Sequence, residues 1–274
     1  MCFPLLRKPG STGTGVCGTE AAGAIRLSDV RLAACVWRRA GVVSAMPQII
    51  AHRGASRDHP ENTIDAFTRA LELGADGIEL DVHATSDGTI VVHHDATVLP
   101  DNAPLEARVS IATLATTQLD AMRIRGGHRI PHLDQVFDLV GARATVYVEV
   151  KGIGIEAALI ECLARHPKAR LAVHAFDHRI PLAIRARRPG TSIGLLSASY
   201  PLDVQALLRP ANADSFWQHA TLIDAQFVND VHAAGVALIA WTVNDASMAR
   251  ALAAMGVDAL CTDAPDVIRA ALRG

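Results

Sequence analysis

Two short blocks of this sequence concentrate the residues able to do acid–base and ionic chemistry. One is Ala51-His52-Arg53-Gly54; the other is Glu79-Leu80-Asp81, followed by His94-Asp95. A histidine beside an arginine closes one apolar run, Gln48-Ile49-Ile50-Ala51. Two carboxylates spaced i, i+2 lie on a second run, Gly77 to Val82, and another histidine closes a third, Thr89 to His94. Side chains at i and i+2 of a strand share a face. Glu79 and Asp81 therefore stand side by side, and Ile78, Leu80 and Val82 turn the other way. Two carboxylates facing one cavity repel each other, and a shared proton or a bound cation relieves the repulsion. With two histidines and an arginine adjacent, the pattern points to metal-assisted phosphate chemistry.

The connection between the second and third runs, Thr85-Ser86-Asp87-Gly88, is too short for the crossover that parallel neighbours need. It predicts an antiparallel hairpin, with Asp87-Gly88 as a type I′ turn. That register sets Asp81 opposite His94, and a shift of the two-residue loop by one position sets Glu79 there. Either way His94 faces the carboxylates and His93 does not. A three-residue loop reverses the choice.

Further motifs join these. His52-Arg53-Gly54, Pro60-Glu61-Asn62-Thr63, Gly74 to Val82, Thr85-Ser86-Asp87-Gly88 and His94-Asp95 resemble the glycerophosphodiester phosphodiesterase family. So do Glu149-Val150-Lys151, Trp241-Thr242-Val243-Asn244 and Thr262-Asp263-Ala264-Pro265. The resemblance runs from about residue 47 to 274. It implies a triosephosphate-isomerase-type barrel, a divalent metal, and hydrolysis of glycerophosphodiesters to glycerol 3-phosphate and an alcohol, in lipid and glycerol metabolism. Ala175-Phe176 and Val98-Leu99-Pro100 depart from the residues common in that family.

The elements that must position these groups fit that fold. β-branched runs alternate with helical patterns, the signature of repeated βα units. Strands are expected at 48–52, 77–82, 145–151, 170–175, 192–196, 214–217, 236–242 and 258–262. The run 89–94 is left as the hairpin partner, and a small loop insertion spans 96–131. Asn62 is expected to cap a helix carrying Ile64, Phe67 and Leu71. No internal repeat is evident. The expected fold is thus an α/β (β/α)₈ barrel with one extra antiparallel hairpin strand.

Active sites of such barrels lie at the C-terminal strand ends, where His52, Glu79, Asp81, Glu149, Lys151, Trp241 and Asp263 all fall. Glu79, Asp81 and Glu149 are the expected metal ligands, because burying three like charges demands a cation. Oxygen donors suit Mg²⁺ or Ca²⁺, with Mn²⁺ also admissible. Three carboxylates on one divalent ion leave a charge of about −1 and a phosphodiester brings another; Arg53 and Lys151 would offset both. His52 and His94 are the acid–base candidates, since imidazole titrates near neutrality; by resemblance they exchange protons with the nucleophile and the leaving oxygen. Glu61 would orient Arg53 or His52, and Trp241 would wall the glycerol pocket.

Composition narrows the alternatives. The 274 residues carry 26 Lys/Arg against 28 Asp/Glu, a balance that leaves no nucleic-acid footprint. The five cysteines form no CxxC pair, which suits a reducing compartment and a cytoplasmic protein. Residues 1–46 carry six Lys/Arg, two Asp/Glu and no histidine, and their charges interrupt every apolar run, so no membrane anchor is expected. They read as a disordered extension or as sequence upstream of a misplaced start, with the barrel domain at 47–274. The rival functions are phospholipase D-like action on lysophospholipids, for which 4% aromatic residues give little support, and a catalytically silent barrel that binds phosphate esters. Oligomeric state is left open.

Overall fold

The structure, a computed structural model, describes residues 46–274 except Arg125, so the expectation for the N-terminal extension lies outside the described residues. From Met46 the chain enters β1 (Gln48–His52), crosses through α1 (Ile64–Glu72) to β2 (Gly77–Ala84), and turns back into the short β3 (Ile90–Val92). An insertion follows, with a two-stranded ribbon of β4 (Thr97–Val98) and β5 (Val109–Ser110) and a short helix α2 (Thr116–Ala121). After α3 (Leu133–Val140) the chain alternates: β6 (Thr145–Val150), α4 (Glu156–Arg165), β7 (Leu171–Ala175), α5 (Arg179–Arg187), β8 (Ser192–Ser197) and α6 (Val204–Ala211). It ends with β9 (Ser215–His219), α7 (Ala225–Ala233), β10 (Ala237–Trp241), α8 (Ala246–Met255), β11 (Ala259–Thr262) and α9 (Pro265–Arg273).

Eight strands pair in parallel in the order β1-β11-β10-β9-β8-β7-β6-β2, and β1–β2 pairing closes the barrel. All eight expected strands form, with ends shifted by two residues at most. β1 pairs with β2 only as far as His52 opposite Glu79, while β2 runs five residues further. β3 takes the edge that β1 vacates, antiparallel to Val82–Ala84.

Alternation along the strands sorts two cores. Ile78, Leu80, Val82, Val146, Val148, Val150 and Val173 face the helix layer. Ile50, Tyr147, Ala172, Leu196, Trp217, Ile239, Ala259 and Cys261 fill the barrel interior. Tyr147 is large enough to reach across to β2, where a Cβ on Gly77 would lie 2.5 Å from its ring; glycine is needed there for close approach.

A short internal repeat, not evident from sequence, ties the barrel floor. Asp76, Asp214 and Asp258 each precede a strand, and each accepts the backbone N–H of the neighbouring strand: Ile49 at 2.8 Å, Ile193 at 2.8 Å and Leu238 at 2.7 Å. The same oxygen takes a basic side chain from a helix: Arg269 of α9, which packs against β1, Arg185 of α5, which leads into β8, and His232 of α7, which leads into β10. Among the described residues no helix is long and apolar enough to cross a membrane.

Candidate active site

The upper interior layer is charged. Moving two residues along β1, β6, β7 and β10 from Ile50, Tyr147, Ala172 and Ile239 reaches His52, Glu149, His174 and Trp241; β2 adds Glu79 and Asp81. Glu79, Asp81, Glu149 and His174 are buried. Donor atoms of Glu79, Glu149 and His174 all lie within 4.8 Å of one another, a spacing that one cation could bridge. Asp81 sits beside them, opposite Glu149 in the sheet.

The chain leaving β1 is shaped to deliver Arg53. Arg53 adopts φ 56° and Gly54 φ 85°, and a Cβ on Gly54 would strike Ala66 of α1 at 2.8 Å or closer, so position 54 admits only glycine. The Arg53 N–H donates to Glu79 Oε2 at 3.1 Å. Its guanidinium lies 3.1 Å from Asp81 and donates to Glu61 at 3.1 Å. Lys151 Nζ stands 2.6 Å from Glu149 and 3.4 Å from Asp81.

The two candidate histidines are held alike. His52 Nδ1 lies 2.7 Å from Asp263, and His94 Nδ1 lies 2.8 Å from Asp95. Asp263 also accepts from Ser56 at 3.0 Å and from Asn244 at 2.5 Å. His52 borders a cavity of about 390 Å³ and His94 one of about 250 Å³; Glu61 lines both.

A sequence profile of the Glycerophosphoryl diester phosphodiesterase family matches residues 52–267. The chain belongs to this family. A glycerophosphodiester phosphodiesterase of Caldanaerobacter subterraneus is 37% identical over 232 residues, covering 80% of this chain and 95% of that protein. An Oleispira antarctica phosphodiesterase, solved in complex with the product sn-glycerol-3-phosphate, superposes with TM-score 0.76 at 27% identity, covering 84% of this chain and 98% of the other. A glycerophosphodiester phosphodiesterase of Agrobacterium tumefaciens gives TM-score 0.70 at 26% identity, covering 82% and 100%.

The electrostatics of this phosphodiesterase fit a bound cation. Glu79 Oε1 is buried and accepts no hydrogen bond from the described residues, while Asp81 Oδ1 and Glu149 Oε1, equally buried, meet the Lys151 ammonium at 3.4 and 2.6 Å. Burial, with Asp81 beside it, pushes the Glu149 carboxyl up to about 7; burial and both neighbouring acids raise Glu79 well above its ordinary range. Burial would raise Asp81 too, but Arg53 and Lys151 outweigh it and hold this carboxyl low. Burial lowers His174 to about 3, so its imidazole is neutral and able to ligate.

Three expectations need correction. The hairpin turn is not type I′, which requires positive φ at both central residues; only Gly88 has it. Asp87 is drawn off to accept the N–H and hydroxyl of Thr116 at the start of α2. The loop is therefore the three residues Ser86-Asp87-Gly88, with Thr85 bonded to Thr89, and the ladder shifts by one. His93 then lies opposite Asp81, its N–H donating to the Asp81 carbonyl at 2.9 Å. The parity argument for His94 fails, although both histidines line the smaller cavity. Second, Thr63 rather than Asn62 caps α1, bonding Ala66 N; Asn62 instead donates to Asp81 at 2.8 Å. Third, His174 and the positioning set Asp263, Asn244 and Ser56 received no role from sequence. His174 follows Glu149 in sheet register and has the inward parity of Ala172, which was a usable signal.

Trp241 stands at the C-terminal end of β10, with Phe176 edge-on at 5.7 Å and its indole N–H buried without an acceptor among the described residues. The Trp241–Thr242 peptide is cis.

Proposed function

We propose that this member of the family hydrolyses a glycerophosphodiester in the cleft above Glu79, Asp81 and Glu149, releasing glycerol 3-phosphate and an alcohol. The observation that carries the reading is the pair of carboxylate-tethered histidines flanking a buried acidic cluster with an arginine and a lysine on it. Each tether occupies Nδ1, so Nε2 is the atom that exchanges protons. One imidazole takes the nucleophile's proton while the other gives one to the leaving oxygen. With the carboxylates neutralised by a cation, Arg53 and Lys151 are free to hold the phosphate oxygens. Glu61 fixes the Arg53 fork, and Trp241 forms an apolar wall.

The group that fits the buried oxygens is one divalent ion, Mg²⁺ or Ca²⁺, held by Glu79, Asp81 and Glu149, with His174 a further donor. When bound it supplies Lewis-acid polarisation of the phosphoryl oxygen. Hard oxygen donors favour these ions; the imidazole keeps Mn²⁺ in play. The free buried thiols of Cys162 and Cys261 support a reducing, cytoplasmic setting. The test is glycerol 3-phosphate release from a panel of diesters, with and without chelator. Full activity in chelator refutes the metal reading, and no release from any diester refutes the reaction.

One observation favours the lysophospholipid reading as a second substrate class. Ile153, Phe176, Tyr200 and Leu202, all exposed, lie on three successive connections after β6, β7 and β8. Of these, Phe176 reaches the charged centre, its ring 5.6 Å from Lys151 Nζ. The low aromatic content concealed this rim because half of it is aliphatic. Choline release from 1-acyl-glycerophosphocholine against glycerophosphocholine decides between the two.

A further inference from the structure

β2 turns Glu79, Asp81 and His83 to the barrel side, since they share strand parity. The first two belong to the charged centre. His83 is buried, and its Nε2 lies 3.1 Å from the backbone carbonyl of His94. A carbonyl only accepts, so Nε2 carries the proton and donates it.

That bond stands where the sheet stops. β3 ends at Val92, and the His93 N–H to Asp81 carbonyl bond is the last rung before the chain leaves towards β4. Continued by one residue, the ladder would pair His94 with Leu80, which packs in the helix layer. A regular strand would thus turn the His94 imidazole away from the carboxylates. The observed chain breaks out of the ladder instead, and His94 borders the cavity beside Glu61.

We propose that His83 is a positioning residue: by holding the His94 carbonyl it fixes the departure of the chain from the sheet and aims the His94 imidazole at the phosphate. The inference rests on the acid–base reading of His94 given above. Asp95 sets the ring's rotation through Nδ1, and His83 sets the backbone that carries it. The reach of the donor matters. A glutamine amide nitrogen can occupy the place of an imidazole Nε2, whereas an asparagine amide falls short.

The test compares His83→Gln with His83→Asn in the full chain, measured by glycerol 3-phosphate release from glycerophosphocholine, whose alkoxide leaving group needs the proton that an acid–base histidine supplies. His83→Asn should lower kcat about 10- to 100-fold, the scale of a misplaced catalytic group, with KM within about threefold of the parent. His83→Gln should recover kcat to within about threefold. In a His94→Ala background, His83→Asn should cost nothing further, because the two residues act through one imidazole. Equal losses for Gln and Asn at unchanged melting temperature, or an additive loss in the double variant, overturn the proposal. A fully active His94→Ala protein overturns the acid–base reading beneath it. A dead His94→Ala with an unaffected His83→Asn overturns only the positioning role.

Discussion

Glu149 offers a direct measure of how far this site depends on a cation. In the metal-free fold its carboxyl is raised from 4.5 to about 7 by burial and by Asp81. A carboxyl raised on folding contributes stability that is full below the unfolded value and is lost as pH climbs through the folded one. The window is therefore pH 4.5 to 7, and the loss across it is roughly 3 kcal/mol. For a domain of this size that corresponds to roughly 6–12 °C in melting temperature. His174, lowered to about 3 by burial, works in the opposite direction up to about pH 6.5, so the parent's own pH profile mixes both effects. The assay is accordingly a difference: melting temperature of Glu149→Gln minus that of the parent, in chelator, from pH 5 to 8. The difference should grow by the stated amount and level off above pH 7. Mg²⁺ or Ca²⁺ should raise the parent's melting temperature most at pH 8 and least at pH 5, because the ion competes with a proton for the same oxygen. A difference that is flat with pH would show that Glu149 ionises freely and that its burial demands no cation.

His52→Ala and His94→Ala should each cut kcat by about 10²–10⁴-fold, with KM for glycerophosphocholine nearly unchanged; steady-state kinetics in saturating Mg²⁺ checks this. Asp263→Asn keeps the size of the His52 partner but removes its charge, and should lower kcat about 10- to 100-fold without changing metal affinity by calorimetry. Replacing Asp76, Asp214 or Asp258 by alanine leaves a strand N–H without its acceptor and should cost about 1–3 kcal/mol each in urea unfolding, with kcat at 25 °C retained. A chain starting at Met46 should keep the parent's kcat and melting temperature, since the family match lies within residues 52–267.

What the sequence made legible follows the reach of local rules. The i, i+2 pair Glu79 and Asp81 shares a face because strand geometry requires it, and the alternation of Glu149 with its valines carries the same information. The barrel strands were legible for the same reason. The His52–Asp263 contact joins residues 211 apart in sequence, and only closure of β1 on β11 brings them together, so no spacing could announce it. The hairpin register failed through a distant competitor, since the side chain of Asp87 is claimed by Thr116, 29 residues on. Asn62 failed differently: both it and Thr63 are good caps, and the choice is made by Asp81, which needs a donor that asparagine alone can supply at that reach.

The same chemistry of aspartate serves opposite purposes at the two ends of the barrel. On the floor, Asp76, Asp214 and Asp258 each meet a backbone N–H and a cation on one oxygen, and so hold adjacent strands in register. At the mouth, Glu79, Asp81 and Glu149 bury three carboxyls against two cations, Arg53 and Lys151, and Glu79 Oε1 accepts no hydrogen bond from the described residues, an arrangement that weakens the fold until a ligand completes it. Barrel enzymes commonly separate stability and catalysis in this way, with function at the C-terminal strand ends. Here the separation has a mechanical use. Strands pinned from below keep their phase, and that phase alone decides that Glu79, Glu149 and His174 converge while Leu80, Val150 and Val173 pack outward.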